Sequence, residues 1–67
     1  MKMELIGTDS QSGGCPTLYR LDDGRIVIQG DVLTDSEALA HGRDVLPGEG
    51  FVVVPPELLD NHWARRA

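Results

Sequence analysis

Sixty-seven residues and 7.3 kDa make one small domain, so a second domain is excluded and a lone chain is thinly stable unless a metal, a disulfide or a partner adds to it. Eleven acidic against six basic residues give a net charge of −5 and a pI near 4.6, a field that repels phosphate backbones and anionic lipid and argues against direct duplex nucleic-acid binding. The longest apolar run, Phe51-Val52-Val53-Val54, is far short of the about 20 residues of a membrane span, and the lone Cys15 with His41 and His62 at scattered positions offers neither an intramolecular disulfide nor a four-ligand zinc site.

Residues 2 to 7 read as a strand, because Met1, Met3 and Leu5 alternate with Lys2, Glu4 and Ile6 in the two-residue period of a sheet with one buried face. The stretch 8–14, biased towards Ser and Gly, reads as a flexible loop. Thr17 to Gln29 carries two strand-like runs around Asp23-Gly24, a pair that tolerates the positive φ of a type I′ turn, and predicts a β-hairpin. With those two residues as the loop, Leu21 lies opposite Ile26 and Tyr19 opposite Ile28, which makes the Tyr19 face the core face. A three-residue loop would set Leu21 against Arg25 and is disfavoured on pattern.

Gly30 marks a bulge or a strand end. Thr34-Asp35-Ser36-Glu37 matches a capping box, with Thr34 as N-cap and Glu37 reaching back to its amide. A helix of about two turns follows, with Ala38 and Leu39 facing inward and Gly42 ending it in the left-handed conformation. Leu46 to Gly50 is turn chemistry, and Phe51 to Val54 predicts a strand buried on both sides or at a partner. Pro55 ends that strand and Pro56 opens a second helix, in which Leu59 and Trp63 share one face. Residues 64–67 form a frayed tail. The expected architecture is a single α+β domain over 1–67, a mainly antiparallel sheet of three or four strands with one or two short helices on one face.

Each group that could carry chemistry has a plainer structural use. Asp22 and Asp23 are a carboxylate pair for acid–base work in one reading and solvated turn formers in the other, and turn propensity favours the second. Asp31, Asp35 and Glu37 could gather around a cation, but helix capping accounts for two of them and no calcium-loop spacing is present. Cys15, beside Pro16 and after two glycines, is a nucleophile only if His41 or His62 approaches it; otherwise it is a small apolar filler. His41 suits the C-terminal end of a helix dipole without any ligand role. Ser12-Gly13-Gly14 lacks the pattern and the following helix of a phosphate loop. His62-Trp63-Ala64-Arg65-Arg66 combines the residue types that most often carry binding energy at interfaces, although Trp63 would equally cap a small core.

Five runs, Gly14-Cys15-Pro16-Thr17-Leu18-Tyr19, Val27-Ile28-Gln29-Gly30, Thr34-Asp35-Ser36-Glu37-Ala38-Leu39, Pro47-Gly48-Glu49 and Val54-Pro55-Pro56-Glu57-Leu58-Leu59, resemble a group of small uncharacterised actinobacterial proteins encoded near helix-turn-helix regulators of the Xre type. The resemblance covers most of the chain and implies a regulatory or accessory setting without an activity, a cofactor or catalytic residues.

Together these readings predict a non-catalytic, cytoplasmic interaction module without cofactor or metal. It would dock an acidic surface or an edge strand, Phe51 to Val54 or Met1 to Ile6, on a protein: a second copy in a homodimer, or a basic DNA-binding regulator. Phe51, Val53, Trp63, Arg65 and Arg66 are the expected contact residues. One alternative is a small enzyme or small-molecule binder using Cys15, Asp31 and His41; another is an acidic mimic that competes for a basic regulator.

Overall fold

The computed structural model describes residues 1–9 and 15–64. The elements in chain order are β1 (Met3–Thr8), β2 (Thr17–Leu21), β3 (Ile26–Gln29), β4 (Asp31–Val32), α1 (Ser36–Leu39), β5 (Val52–Val53) and α2 (Pro56–His62). The first three strands form an antiparallel sheet in the order β1-β2-β3, and β4 pairs with β5 in a second, two-stranded sheet. The fold is α+β, with the predicted fourth strand placed in a separate sheet. The flexible loop expected at 8–14 falls mostly outside the described residues, as does the end of the expected tail; Thr8 belongs to β1 and Asp9 is buried.

The β2–β3 hairpin corrects the predicted register. Leu18 faces Ile28, Tyr19 faces Val27 and Arg20 faces Ile26, and the Leu21 amide donates to the Arg25 carbonyl at 2.8 Å, so the loop has three residues, Asp22, Asp23 and Gly24. Gly24 holds φ 94° and its amide donates to the Leu21 carbonyl, the pattern of a tight turn followed by a left-handed residue that forms a bulge. Asp23 tips the choice: one carboxylate oxygen accepts the Arg25 amide at 3.0 Å and the other accepts Arg25 Nε at 2.8 Å. Local polar bonds outweigh the apolar matching of Leu21 with Ile26, and Leu21 meets the very residue that the pattern argument placed elsewhere.

The new register also changes which face carries the core. Across β1 and β2, Met3 faces Leu21, Leu5 faces Tyr19 and Thr8 faces Thr17, while Glu4 faces Arg20 and Gly7 faces Leu18. A bulge between Leu5 and Gly7 lets two residues of β1 oppose one of β2. Helix α2 packs on β1 and β2, over Gly7 and Leu18, because a Cβ on Gly7 would run into the His62 ring. Among the described residues, Leu18 at 1 % exposure and Leu58 at 0 % are the fully buried apolar side chains. The core face is therefore the Leu18 face, and the buried stripe of α2 runs through Leu58 and His62 instead of the predicted Leu59 and Trp63, which stay about 40 % exposed. Pro56 takes the expected first position of α2.

Gly30 separates β3 from β4 and lets β5 approach closely: a Cβ there would lie 2.6 Å from the Val53 carbonyl oxygen. Both β5 residues are exposed, which corrects the expectation of a strand buried on both sides within this chain. Between β4 and β5, α1 is a single turn with no buried residue, so Ala38 and Leu39 do not face a core. Its N-cap is Asp35, whose carboxylate accepts the Ala38 amide at 2.9 Å; Thr34, the predicted cap, lies one residue too early. Asp at this site answers the orphan amides of the first turn as well as Thr does. Gly42 is not left-handed; Asp44 is, at φ 53°. The reason for a glycine at 42 is the Phe51 ring, whose Cζ would lie 2.8 Å from an added Cβ. Within the stretch Leu46 to Gly50 predicted as turn chemistry, Leu46 to Glu49 forms a turn with Gly48 at φ 88°, its ends tied by the Glu49 amide to the Leu46 carbonyl and by the Leu46 amide to Glu49 Oε1.

Because α1 contributes nothing to the buried core, Asp35→Ala is expected to fray it locally. Amide exchange at Ala38 should quicken by the factor that matches the loss of about 1 kcal/mol of cap, while exchange at Leu18 stays unchanged. Equal acceleration at both amides would show that α1 is part of the cooperative unit.

Candidate interaction surface

Strand pairing sets a second group of apolar side chains on the side of the three-stranded sheet opposite α2. Met3 and Leu5 of β1, Tyr19 and Leu21 of β2 and Val27 of β3 share this side, with Thr8, Thr17 and Gln29 at one end. Leu5 is 60 % exposed and Met3 51 %, with Tyr19, Leu21 and Val27 half-buried among their neighbours. Within the three strands no residue on this side is charged, although Arg25, opposite Leu21, lies at its end; Glu4 and Arg20 share the side that α2 takes, where Ile26 and Ile28 stay 36 % and 38 % exposed. An antiparallel sheet with one wet face ordinarily sends its polar residues to water. Here the distribution is the reverse.

Polar groups at the end of this face are already engaged. Tyr19 donates its hydroxyl to Gln29 Oε1 at 2.6 Å, Thr8 donates to the Pro16 carbonyl at 3.1 Å and Thr17 to the Cys15 carbonyl at 2.8 Å, with the two threonine hydroxyls 3.0 Å apart. The Asp9 amide also donates to Pro16, which draws the chain at 9 and 16 together and holds Cys15 at the rim. The centre of this side is thus apolar and the hydroxyl groups at one end of it are hydrogen-bonded within the chain.

Two clefts lie beside it. One, of about 310 Å³, is lined by Cys15, Pro16, Gln29, Gly30, Asp31, Val53, Val54 and Pro55, where the three-stranded sheet meets the second one. It brings Cys15 and Asp31 of the predicted catalytic trio to one wall but neither His41 nor His62, so the base a thiol nucleophile requires is not among its lining residues. The other, of about 480 Å³, follows the β1–β2 edge at Lys2, Met3, Glu4, Arg20, Leu21, Asp22 and Gly24. Among the described residues no three His, Cys, Asp or Glu side chains are grouped to hold a metal. Nor is any described helix long and apolar enough to cross a membrane.

The residues predicted for partner contact are spread over different elements. Phe51 is 39 % exposed with its ring over Gly42, Val53 lies exposed on β5, and Trp63 caps α2 at 41 % exposure; Arg65 and Arg66 lie outside the described residues. The open sheet face was visible in the sequence as the alternation of Met1, Met3 and Leu5 and of Tyr19 and Leu21, but alternation cannot say which side the chain itself covers. A comparison with known protein families, with curated proteins and with solved structures finds no match to this chain.

Proposed function

We propose that this chain is a non-catalytic protein-interaction module that works by presenting the Met3-Leu5-Tyr19-Leu21-Val27 face to a protein partner, in a regulatory or accessory role. The observation that carries the reading is the placement of these apolar strand residues on the side of the sheet away from α2. Large exposed apolar patches rimmed by polar residues mark binding sites or liabilities, and a solvated patch of this kind is tolerated when a partner covers it. A photo-crosslinking amino acid in place of Leu5 is expected to trap a defined protein in the cytoplasm of the native host, and the same group in place of the exposed Glu57 is not. Equal and diffuse labelling from both positions overturns the proposal.

The Cys15–Asp31 cleft supports a second reading, a small-molecule binder, since its volume reaches the lower end of ordinary ligand sites. In that case a ligand protects Cys15 from alkylation; a thiol that alkylates at the same rate across a metabolite panel, in the folded and unfolded chain alike, rules the reading out.

A further inference from the structure

We infer that the Asp23–Gly24 bond at the tip of the β2–β3 hairpin is the chain's site of spontaneous aspartate isomerisation, and that the hydrogen bonds of the three-residue loop, those to Arg25 foremost, hold the reaction down while the loop is closed. The sequence contains an Asp-Gly pair once, and both residues are exposed. A glycine after an aspartate leaves the next backbone nitrogen without a side chain to shield it, so this pair is the one most open to attack on its own carboxyl group. The loop is built on both residues. Gly24 holds φ 94°, a conformation that glycine takes without steric cost, and Asp23 supplies the two acceptors that fix the register.

The reaction joins the Gly24 nitrogen to Asp23 Cγ. One carboxyl oxygen leaves as water, with the amide proton and the proton of the acid, and a five-membered succinimide ring remains. Water then opens the ring. Hydrolysis at the Cγ carbonyl restores aspartate; hydrolysis at the main-chain carbonyl leaves isoaspartate, with the backbone running through Cβ and a carboxylate on Cα. The water lost in the first step is regained in the second, so no oxidant, reductant or co-reactant is required.

The closed loop opposes the first step at each reacting atom. The Gly24 amide proton, which must be given up, is donated to the Leu21 carbonyl at 2.9 Å. Both Asp23 carboxylate oxygens are engaged, one by the Arg25 amide at 3.0 Å and the other by Arg25 Nε at 2.8 Å, which directs the group past Gly24 to the following residue. Asp22 fastens the loop from the other side: its amide donates to the Lys2 carbonyl at 3.2 Å and its carboxylate accepts the Lys2 amide at 3.1 Å. Among the described residues nothing lies within 4 Å of the position a Cβ on Gly24 would take, so hydrogen bonding and not steric cover is the guard. Ring closure then waits on local opening of the loop, and its rate follows the open fraction.

The test incubates the purified full chain at neutral pH, folded and in urea, and follows isoaspartate at position 23 by electron-transfer fragmentation. The folded chain is expected to isomerise at least about tenfold more slowly than the unfolded one, because the loop must give up more than one hydrogen bond to react. Arg25→Ala removes the guanidinium and keeps the amide; it is expected to speed the folded reaction about fivefold, the upper worth of an exposed ion pair. Arg43→Ala, at another exposed position, should leave the rate unchanged. Equal rates in the folded and unfolded wild-type chain overturn the inference, as does a folded Arg25→Ala chain that reacts at the wild-type rate. Faster isoaspartate formation at a different aspartate of the unfolded chain overturns the assignment of the site. If Arg25→Ala loses its fold, the comparison of folded and unfolded wild-type chains still decides.

Discussion

Leu18→Ala and Leu58→Ala are each expected to destabilise the chain by about 2–5 kcal/mol, the range for truncating a fully buried leucine that leaves a cavity. Leu18 reaches the interior from the start of β2 and Leu58 from the first turn of α2, and among the described residues they are the two apolar side chains that are completely enclosed. A domain of this length has only about 3–10 kcal/mol in all, so either change should remove most of the cooperative transition. Leu59, the next residue along α2, is 40 % exposed, and Leu59→Ala should cost less than about 1 kcal/mol. Urea unfolding of the three variants at one fixed protein concentration checks the contrast. Equal losses from Leu58→Ala and Leu59→Ala would mean that α2 is rotated from the seating described.

How much of this was legible in the sequence depends on whether local chemistry or long-range packing made the decision. The bounds of α2 were readable because Pro56 can only start a helix there, and the turn at Leu46 to Glu49 because Pro-Gly admits few conformations. The hairpin was readable as a hairpin, but its register was set by Asp23, which bonds both the amide and the guanidinium of Arg25. A rule that ranks loops by matching apolar partners does not weigh those bonds. Helix α1 starts near the expected place but is one turn long instead of two, and it is capped by the neighbouring residue, since Thr34 and Asp35 offer equivalent acceptors and only the backbone path separates them. The face of the core was misjudged for a deeper reason. Both sides of the three-stranded sheet carry large apolar residues, Leu18, Ile26 and Ile28 on one and Met3, Leu5, Tyr19, Leu21 and Val27 on the other. Periodicity establishes that residues share a side; which side α2 chooses depends on where Gly7 leaves room for it.

That room is testable directly. Gly7→Ala is expected to cost about 1–3 kcal/mol, the usual penalty for forcing an extra carbon into a filled contact, because the new methyl group would overlap the His62 ring that rests on the glycine. His62→Ala removes the obstruction, so the double variant should be less destabilised than the sum of the single ones, with a coupling of about 0.5–3 kcal/mol between contacting positions. Chemical denaturation of the four-member cycle measures it, and strict additivity would show that the helix is not seated over Gly7.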